Sequence, residues 1–237
     1  MEYRFEAKSV EGFVQMLASN YLPHGYWFYV TGRIPDGKSA ESIDRKILAK
    51  YSIALSRQQR SRRKLHGLAN LHYLRFERFF VILATHGQHP FFEAEGTTVK
   101  DIRKVPLQFR GYSLSVKRGG FLKREVGEEE ASADHRHRVR VLISREAFRN
   151  LAGHLLDLAT HRTAATLRWE FWNQPFEPYA PIRKQLLKVL RAVNNTRHSI
   201  GYEKLPFDCI RYRRAIVKPF ESSLPIESPI ESEIDAK

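Results

Sequence analysis

The sequence predicts an α+β fold, an antiparallel sheet of four to six strands covered by helices, and three observations carry that prediction. Apolar residues recur at helical spacing towards both ends of the chain. In the middle they alternate with polar residues or run continuously, and the strand-like stretches there follow one another instead of alternating with helices. With 42% apolar and 12% aromatic residues in 237, the chain has the material for a sizeable core in one large or two small domains.

Ser9 supplies a cap for a first helix in which Val10, Phe13, Val14 and Leu17 fall on one face, ending near Asn20 to Pro23. Tyr26 to Thr31 is aromatic and β-branched, so it reads as a strand entering the turn Gly-Arg-Ile-Pro-Asp-Gly. Ser39 then caps a helix with the stripe Ile43, Ile47, Leu48, Tyr51 and Leu55, running on into the basic segment Arg57 to Lys64. Cations there suit the helix dipole. Leu71 to Phe76 and Phe79 to Ala84 form a strand pair around Glu77-Arg78, the second apolar on both faces as a central strand would be. Tyr112, Leu114 and Val116 alternate with Ser113, Ser115 and Lys117, and Val139, Val141 and Ile143 alternate with Arg138 and Arg140, giving two half-exposed strands. Gly119-Gly120 and an acidic loop, Glu128 to Glu130, separate them.

Ser144 caps a helix carrying Phe148, Leu151, Leu155 and Leu158, and a second helical stretch runs from Thr163 to Trp172. Pro181 suits the first turn of a last long helix, with Ile182, Leu186, Val189, Leu190 and Val193 on one side and Lys184, Lys188 and Arg191 on another. Cys209 to Phe220 reads as an edge strand crowded with basic residues. The expected organisation is one basic α+β domain over residues 1–220 and an acidic tail, 221–237. The tail repeats Pro-Ile-Glu-Ser and offers too little apolar surface to offset ordering, so disorder is expected.

Residues 1–220 carry 39 of the 40 Lys and Arg against 21 of the 26 acids, a net charge of about +18. So much like charge repels itself in a compact body and is most simply the footprint of a polyanion, DNA or RNA. No run approaches the roughly 18 apolar residues of a membrane span, and the opening Met-Glu-Tyr-Arg-Phe-Glu lacks the order of a signal peptide. A cytoplasmic protein with no membrane partner is expected. The single cysteine, Cys209, excludes an internal disulfide and a multi-cysteine zinc site, and reads as a small core residue. Walker-type, Gly-x-Ser-x-Gly, zinc-finger and zinc-deaminase patterns are absent, which argues against nucleotide and ester hydrolysis.

Basic and aromatic residues interleave in three clusters: Arg57, Arg60, Arg62, Arg63 and Lys64; Arg138 and Arg140; and Arg211, Tyr212, Arg213, Arg214 and Lys218. Arginine grips phosphate and stacks on bases, while Tyr212, with Trp27 or Tyr73, would add stacking on unpaired bases. One such run alone is equally a solvated face that balances acids elsewhere. Three runs on a body of this charge point to a nucleic-acid-binding protein, a component of a nucleoprotein complex.

His86 and His89 follow the apolar strand Phe79 to Ala84, and the intervening Gly87 can bend the backbone so that both imidazoles converge. With Glu77, Glu93 or Glu95 they would suit a divalent ion, Mg or Mn, left open to a substrate phosphate. The plain alternative is a pair of polar turn residues. His135 and His137 share one side of a strand, but the neighbouring arginines oppose a bound cation. Over residues 26–190 the order of strand, helix, strand pair and histidine-bearing strand end resembles the nickase domain of rolling-circle replication initiators and relaxases. The resemblance implies an antiparallel sheet with helices, a divalent metal on two histidines flanking one hydrophobic residue, and a helical tyrosine that attacks a DNA phosphate. Tyr179, with Lys184 five residues on, is the nearest counterpart of that tyrosine. The chain departs from the pattern in carrying Gly87-Gln88 between His86 and His89, and Arg136 between His135 and His137. A metal-dependent single-strand nickase is therefore the alternative function.

Overall fold

Strand β4 (Phe79–Ala84) has no polar side chain, so both of its faces need cover, and it occupies the centre of a five-stranded sheet. This computed structural model describes residues 3–120 and 134–221; the acidic Glu128 to Glu130 loop and the Pro-Ile-Glu-Ser repeats lie outside them. Strands β2 (Phe28–Arg33) and β3 (Leu71–Phe76) flank β4 antiparallel to it. The short β1 (Glu6–Ala7) joins the outer edge of β3 in parallel, and β5 (Lys100–Asp101) joins β2. A second, three-stranded antiparallel sheet has the order β6 (Leu107–Phe109), β7 (Tyr112–Lys117), β8 (Arg138–Ile143). The α+β class and the antiparallel sheet thus form as the pattern predicts, but the strands divide between two sheets.

Alternation along β4 sends Ile82 and Ala84 into a smaller core with Leu71 and Tyr73, covered by Ile47 and Leu48 of α2 (Ala40–Lys50) and by Phe91 of α4 (Pro90–Glu95). Val81 and Leu83 enter the main core from the other face. There they meet α1 (Val10–Gln15), the inner face of the second sheet, and the helices α5 (Arg145–Ala159), α6 (Ala164–Trp172) and α7 (Ala180–Ser199). Ser9, Ser39 and Ser144 cap the helices expected of them, and Thr163, at the start of the stretch expected to be helical, caps α6. Beyond α1 the chain widens into a π-helical turn, Met16–Tyr21, closed by the Leu22 N–H on the Leu17 carbonyl.

Two expectations change. The helix begun at Ser39 does not continue into the basic segment: Ser52 is left-handed (φ 48°), and Ser56 starts a separate helix, α3 (Arg57–Leu65). Its cap is a reciprocal box, Gln59 N–H to Ser56 Oγ at 3.2 Å and Ser56 N–H to Gln59 Oε1 at 2.8 Å. The segment after Cys209 is no edge strand but an irregular strap across α1. Gln15 acts as a surrogate strand partner, donating from Nε2 to the Val217 carbonyl at 3.0 Å and accepting from its N–H at 3.3 Å. Gln185 of α7 does the same for Ile143 on the free edge of β8, at 2.9 and 3.1 Å.

The strap crosses so near α1 that a Cβ on Gly12 would lie 2.9 Å from the Pro219 Cα. Gly12→Ala should therefore lose about 1–3 kcal/mol of stability through overpacking and open the strap to protease at Arg213 and Arg214. Gly153→Ala, with nothing within 4 Å in the middle of α5, should gain up to about 1 kcal/mol from helix propensity. Urea melts and limited proteolysis of both variants check the pair, and equal effects would contradict the close crossing.

Candidate nucleic-acid interface

Helix α3 buries no residue and has no apolar face, so hydrophobic contact cannot hold it to the fold. Two of its arginines, one turn apart, do so instead. Arg60 turns inward and donates to the carbonyls of Ile53 (3.0 Å), Leu55 (3.1 Å) and Leu71 (3.0 Å). Arg63 donates twice to the Ala69 carbonyl, at 2.9 and 3.2 Å. Both were expected on phosphate; the structure spends them on backbone oxygens of the segments flanking α3.

Arg60 also donates to His72 Nε2 at 2.9 Å, which leaves Nδ1 to carry the proton and donate to the Tyr3 hydroxyl at 3.0 Å. That hydroxyl donates on to the Tyr73 carbonyl and accepts from the Tyr73 N–H. The π-helical turn brings the Tyr21 ring over His72 at 4.4 Å, and Tyr26 approaches at 4.7 Å. Burial, with the Arg60 charge, pulls the His72 pKa down to about 3, and burial pushes Tyr3 up to about 12. The network is uncharged apart from the guanidinium.

The other cations of α3 differ. Arg57, Arg62 and Lys64 are exposed and form no ion pair among the described residues. Beside them a cleft of about 400 Å³ opens between α3 and the start of β2, lined by His24, Trp27, Lys64 and His86. The Trp27 indole donates to the Leu22 carbonyl at 3.0 Å, and its ring carries the Arg103 guanidinium at 4.7 Å and the His137 imidazole at 4.4 Å. Asp101 fixes Arg103 in a paired bond of 2.8 to 3.1 Å. Arg103, which the sequence did not single out, therefore belongs to this surface; its only local signal was an Asp two residues before it.

The other expected site residues separate. His89 Nδ1 accepts the Phe91 N–H at 3.0 Å and caps α4, while His86 faces the Trp27 cleft, so the two imidazoles line different depressions. Gly87 is bound by backbone: at φ 134° its Cβ position lies 2.6 Å from the Gly67 carbonyl oxygen. Glu77 sits at the far end of the sheet and Glu95 accepts the Tyr51 hydroxyl. Among the described residues no group of three His, Cys, Asp or Glu suits a metal ion, so the expected Mg or Mn centre at His86 and His89 does not assemble. Tyr179 stands at the start of α7, its ring under Arg214 at 4.4 Å and partly buried against the main core, and burial raises its pKa, which holds the hydroxyl protonated. No contact joins it to either histidine among the described residues.

In the second cluster Arg138 and Arg136 both bond Asp134, whose carboxyl their hydrogen bonds hold well below the usual carboxylate range; Arg140 stays exposed. In the third, Arg211 reaches inward to the carbonyls of Gln174 (2.6 Å) and Phe176 (3.0 Å), and Lys218 pairs with Glu221 at 2.8 Å. Tyr212 is exposed with Arg183 over its ring at 4.3 Å, and Arg213 is exposed. Tyr73 is fully buried with its hydroxyl on Asp44 at 2.5 Å, so it stacks on no ligand. Cys209 is buried as expected, its thiol pushed up to about 11 by burial. Among the described residues no helix is long and apolar enough to cross a membrane. No protein-family model and no curated protein matches this chain.

An inward Arg60 and a neutral His72 have measurable consequences. Arg60→Gln should cost about 3 kcal/mol, as expected when buried acceptors lose a charged donor, read in a urea titration. His72 in the unfolded chain titrates near 6.5, above its folded value of about 3. The unfolded state therefore binds more protons between those limits, and stability should fall as pH drops below about 6.5. Thermal melts between pH 7 and 4 should show a shallower decline for His72→Gln; an unchanged slope would contradict the buried neutral ring.

Proposed function

We propose that the protein binds nucleic acid, with the exposed cations of α3 and the adjoining Trp27 cleft as its principal phosphate-tracking surface. The observation that carries this reading is a helix pinned by Arg60 and Arg63 whose remaining cations, Arg57, Arg62 and Lys64, face solvent unpaired. A helix without an apolar face contributes little to the core, and like charges one turn apart, Arg57 with Arg60 and Arg60 with Lys64, oppose helix formation. A polyanion would remove that repulsion. Pinning also orders the cations before binding, which lowers the entropy that association costs.

Arg140 and Arg213 are further exposed cations for sequence-independent phosphate contact. Trp27, His24 and His86 supply ring edges and hydrogen-bonding groups in a cleft wide enough for an unpaired base, which favours a single-stranded or structured substrate over plain duplex. The His86–His89 and Tyr179 positions give no observation in favour of strand cleavage, and binding without catalysis is the reading the geometry supports best.

The test is fluorescence anisotropy of a labelled single-stranded DNA and a hairpin RNA across a salt series. Wild-type affinity should fall steeply with salt, and Arg57→Gln/Arg62→Gln/Lys64→Gln should lower low-salt affinity and flatten the log–log slope by about 2 to 3, near one for each phosphate that the variant leaves unneutralised. Circular dichroism should stay unchanged, because these side chains are exposed. An absence of binding at low salt, or a triple variant that binds like wild type, would overturn the assignment.

A further inference from the structure

A second, larger cleft of about 850 Å³ lies at the opposite end of the five-stranded sheet from Trp27 and His86. Its walls are the Glu77-Arg78 turn joining β3 to β4, the Arg110-Gly111 turn joining β6 to β7, the end of β2 at Arg33, and the first turn of α5 at Arg145. Four arginines therefore line it. Two are committed: Arg78 to the Pro35 carbonyl (2.5 Å) and Asp36 (3.3 Å), and Arg110 to Glu77 at 2.6 Å. Arg33 and Arg145 are exposed and make no ion pair among the described residues.

The turns themselves are unusual. Glu77 (φ 51°) and Arg110 (φ 44°) adopt left-handed backbone, where two-residue hairpins favour Gly, Asn or Asp. Both positions instead carry long charged side chains into the cleft, where they meet each other, so local strain is accepted in order to place charge there. The Gly111 carbonyl accepts the Ser144 N–H at 2.7 Å, tying the second turn to the start of α5. Ser144 Oγ accepts the Ala147 N–H, which leaves the N–H groups of Arg145 and Glu146 without acceptors within the helix. The dipole of this fifteen-residue helix adds to the field at its mouth.

We propose that this cleft binds a terminal phosphate monoester, carried either by a free nucleotide or by the 5′ end of a strand. Asp36 and Glu77 offset Arg78 and Arg110, and the two guanidiniums outside any ion pair among the described residues, Arg33 and Arg145, match the charge of about −1.5 to −2 on a phosphomonoester at neutral pH, with Glu146 as one further carboxylate on the rim. A phosphodiester carries only one charge, and inorganic phosphate fills a small part of the volume. Partly buried Phe79 offers an apolar surface for the organic remainder. The strand-end source rests on the proposed nucleic-acid binding; the nucleotide source does not.

The probes are adenosine 5′-monophosphate against adenosine, and a 5′-phosphorylated trinucleotide against its 5′-hydroxyl form, titrated calorimetrically into the full-length protein. At least one phosphorylated probe should bind about tenfold or more tightly than its unphosphorylated counterpart, in keeping with bidentate arginine–phosphate contacts. That preference should vanish in Arg33→Gln/Arg145→Gln, whose exposed side chains leave the fold intact by circular dichroism. It should persist in the α3 triple variant, which separates this cleft from the proposed interface. If neither phosphorylated probe is preferred, if the double variant keeps the preference, or if the α3 variant loses it equally, the proposal is overturned.

Discussion

Four phenylalanines lock the two sheets together, and the position of the larger cleft follows from them. Phe13 of α1 lies 4.1 Å from the ring of Phe109 on β6 and 5.8 Å from Phe79 on β4. Phe109 in turn contacts Phe79 at 5.2 Å and Phe76 at 5.8 Å. Tilted and edge-on rings of this kind have narrow geometric preferences and large buried area, so they fix the approach of the sheets more firmly than aliphatic contacts would. Phe76 and Phe79 bracket the turn between β3 and β4, and Phe109 precedes the turn between β6 and β7. The charged turns are thus held face to face by the apolar residues beside them.

Around that core the chain uses guanidinium groups as internal fasteners. Arg60 and Arg63 hold α3, Arg211 anchors the strap, and Arg197 gathers the carbonyls of Ala159, Arg162 and Glu203 where α5 ends. Arg75 is buried against Asp44 at 3.0 Å and reaches Glu6 at 3.3 Å, so one side chain joins α2, β3 and β1. Each group supplies several donors in a planar fork, which suits backbone oxygens left unpaired where helices end and loops cross. A buried ion pair adds little net stability over an apolar substitute, yet loss of one partner from such a pair typically costs about 3–5 kcal/mol. Some cations thus complete the fold, and others stay exposed, Arg57, Arg62 and Lys64 on α3 and Arg33 and Arg145 at the opposite end of the five-stranded sheet.

The local elements were legible in the sequence because they depend on near neighbours. Period-two alternation located β7 and β8, the unbroken apolar run located the central β4, and capping residues marked helix starts within a residue. The box at Ser56 and Gln59 was equally present, but the apolar stripe before it masked the break at Ser52. The edge strand expected after Cys209 failed because, apart from the Lys8 N–H on the Pro219 carbonyl, the segment bonds to side chains of α1 and of the stretch before α7, a pairing that no backbone pattern encodes.

By itself the sequence determined the α+β class, the place of most helices and strands, the buried cysteine and the large positive charge, since each is a sum over residues or a periodicity of a few positions. Only the tertiary structure decided which cations remain available. Arg60 and Arg62 are indistinguishable in a list of charges, but they differ by two residues, about 200° around a helix, so one faces backbone carbonyls and the other faces water. The same holds for His86 and His89, divided by a glycine that close backbone packing demands, and for Arg33, Arg78, Arg110 and Arg145, which line one rim because a strand end, two turns and a helix start from distant parts of the chain are brought together there. Charge is additive along a chain, but whether a charge is spent or free depends on a partner that only folding brings within reach.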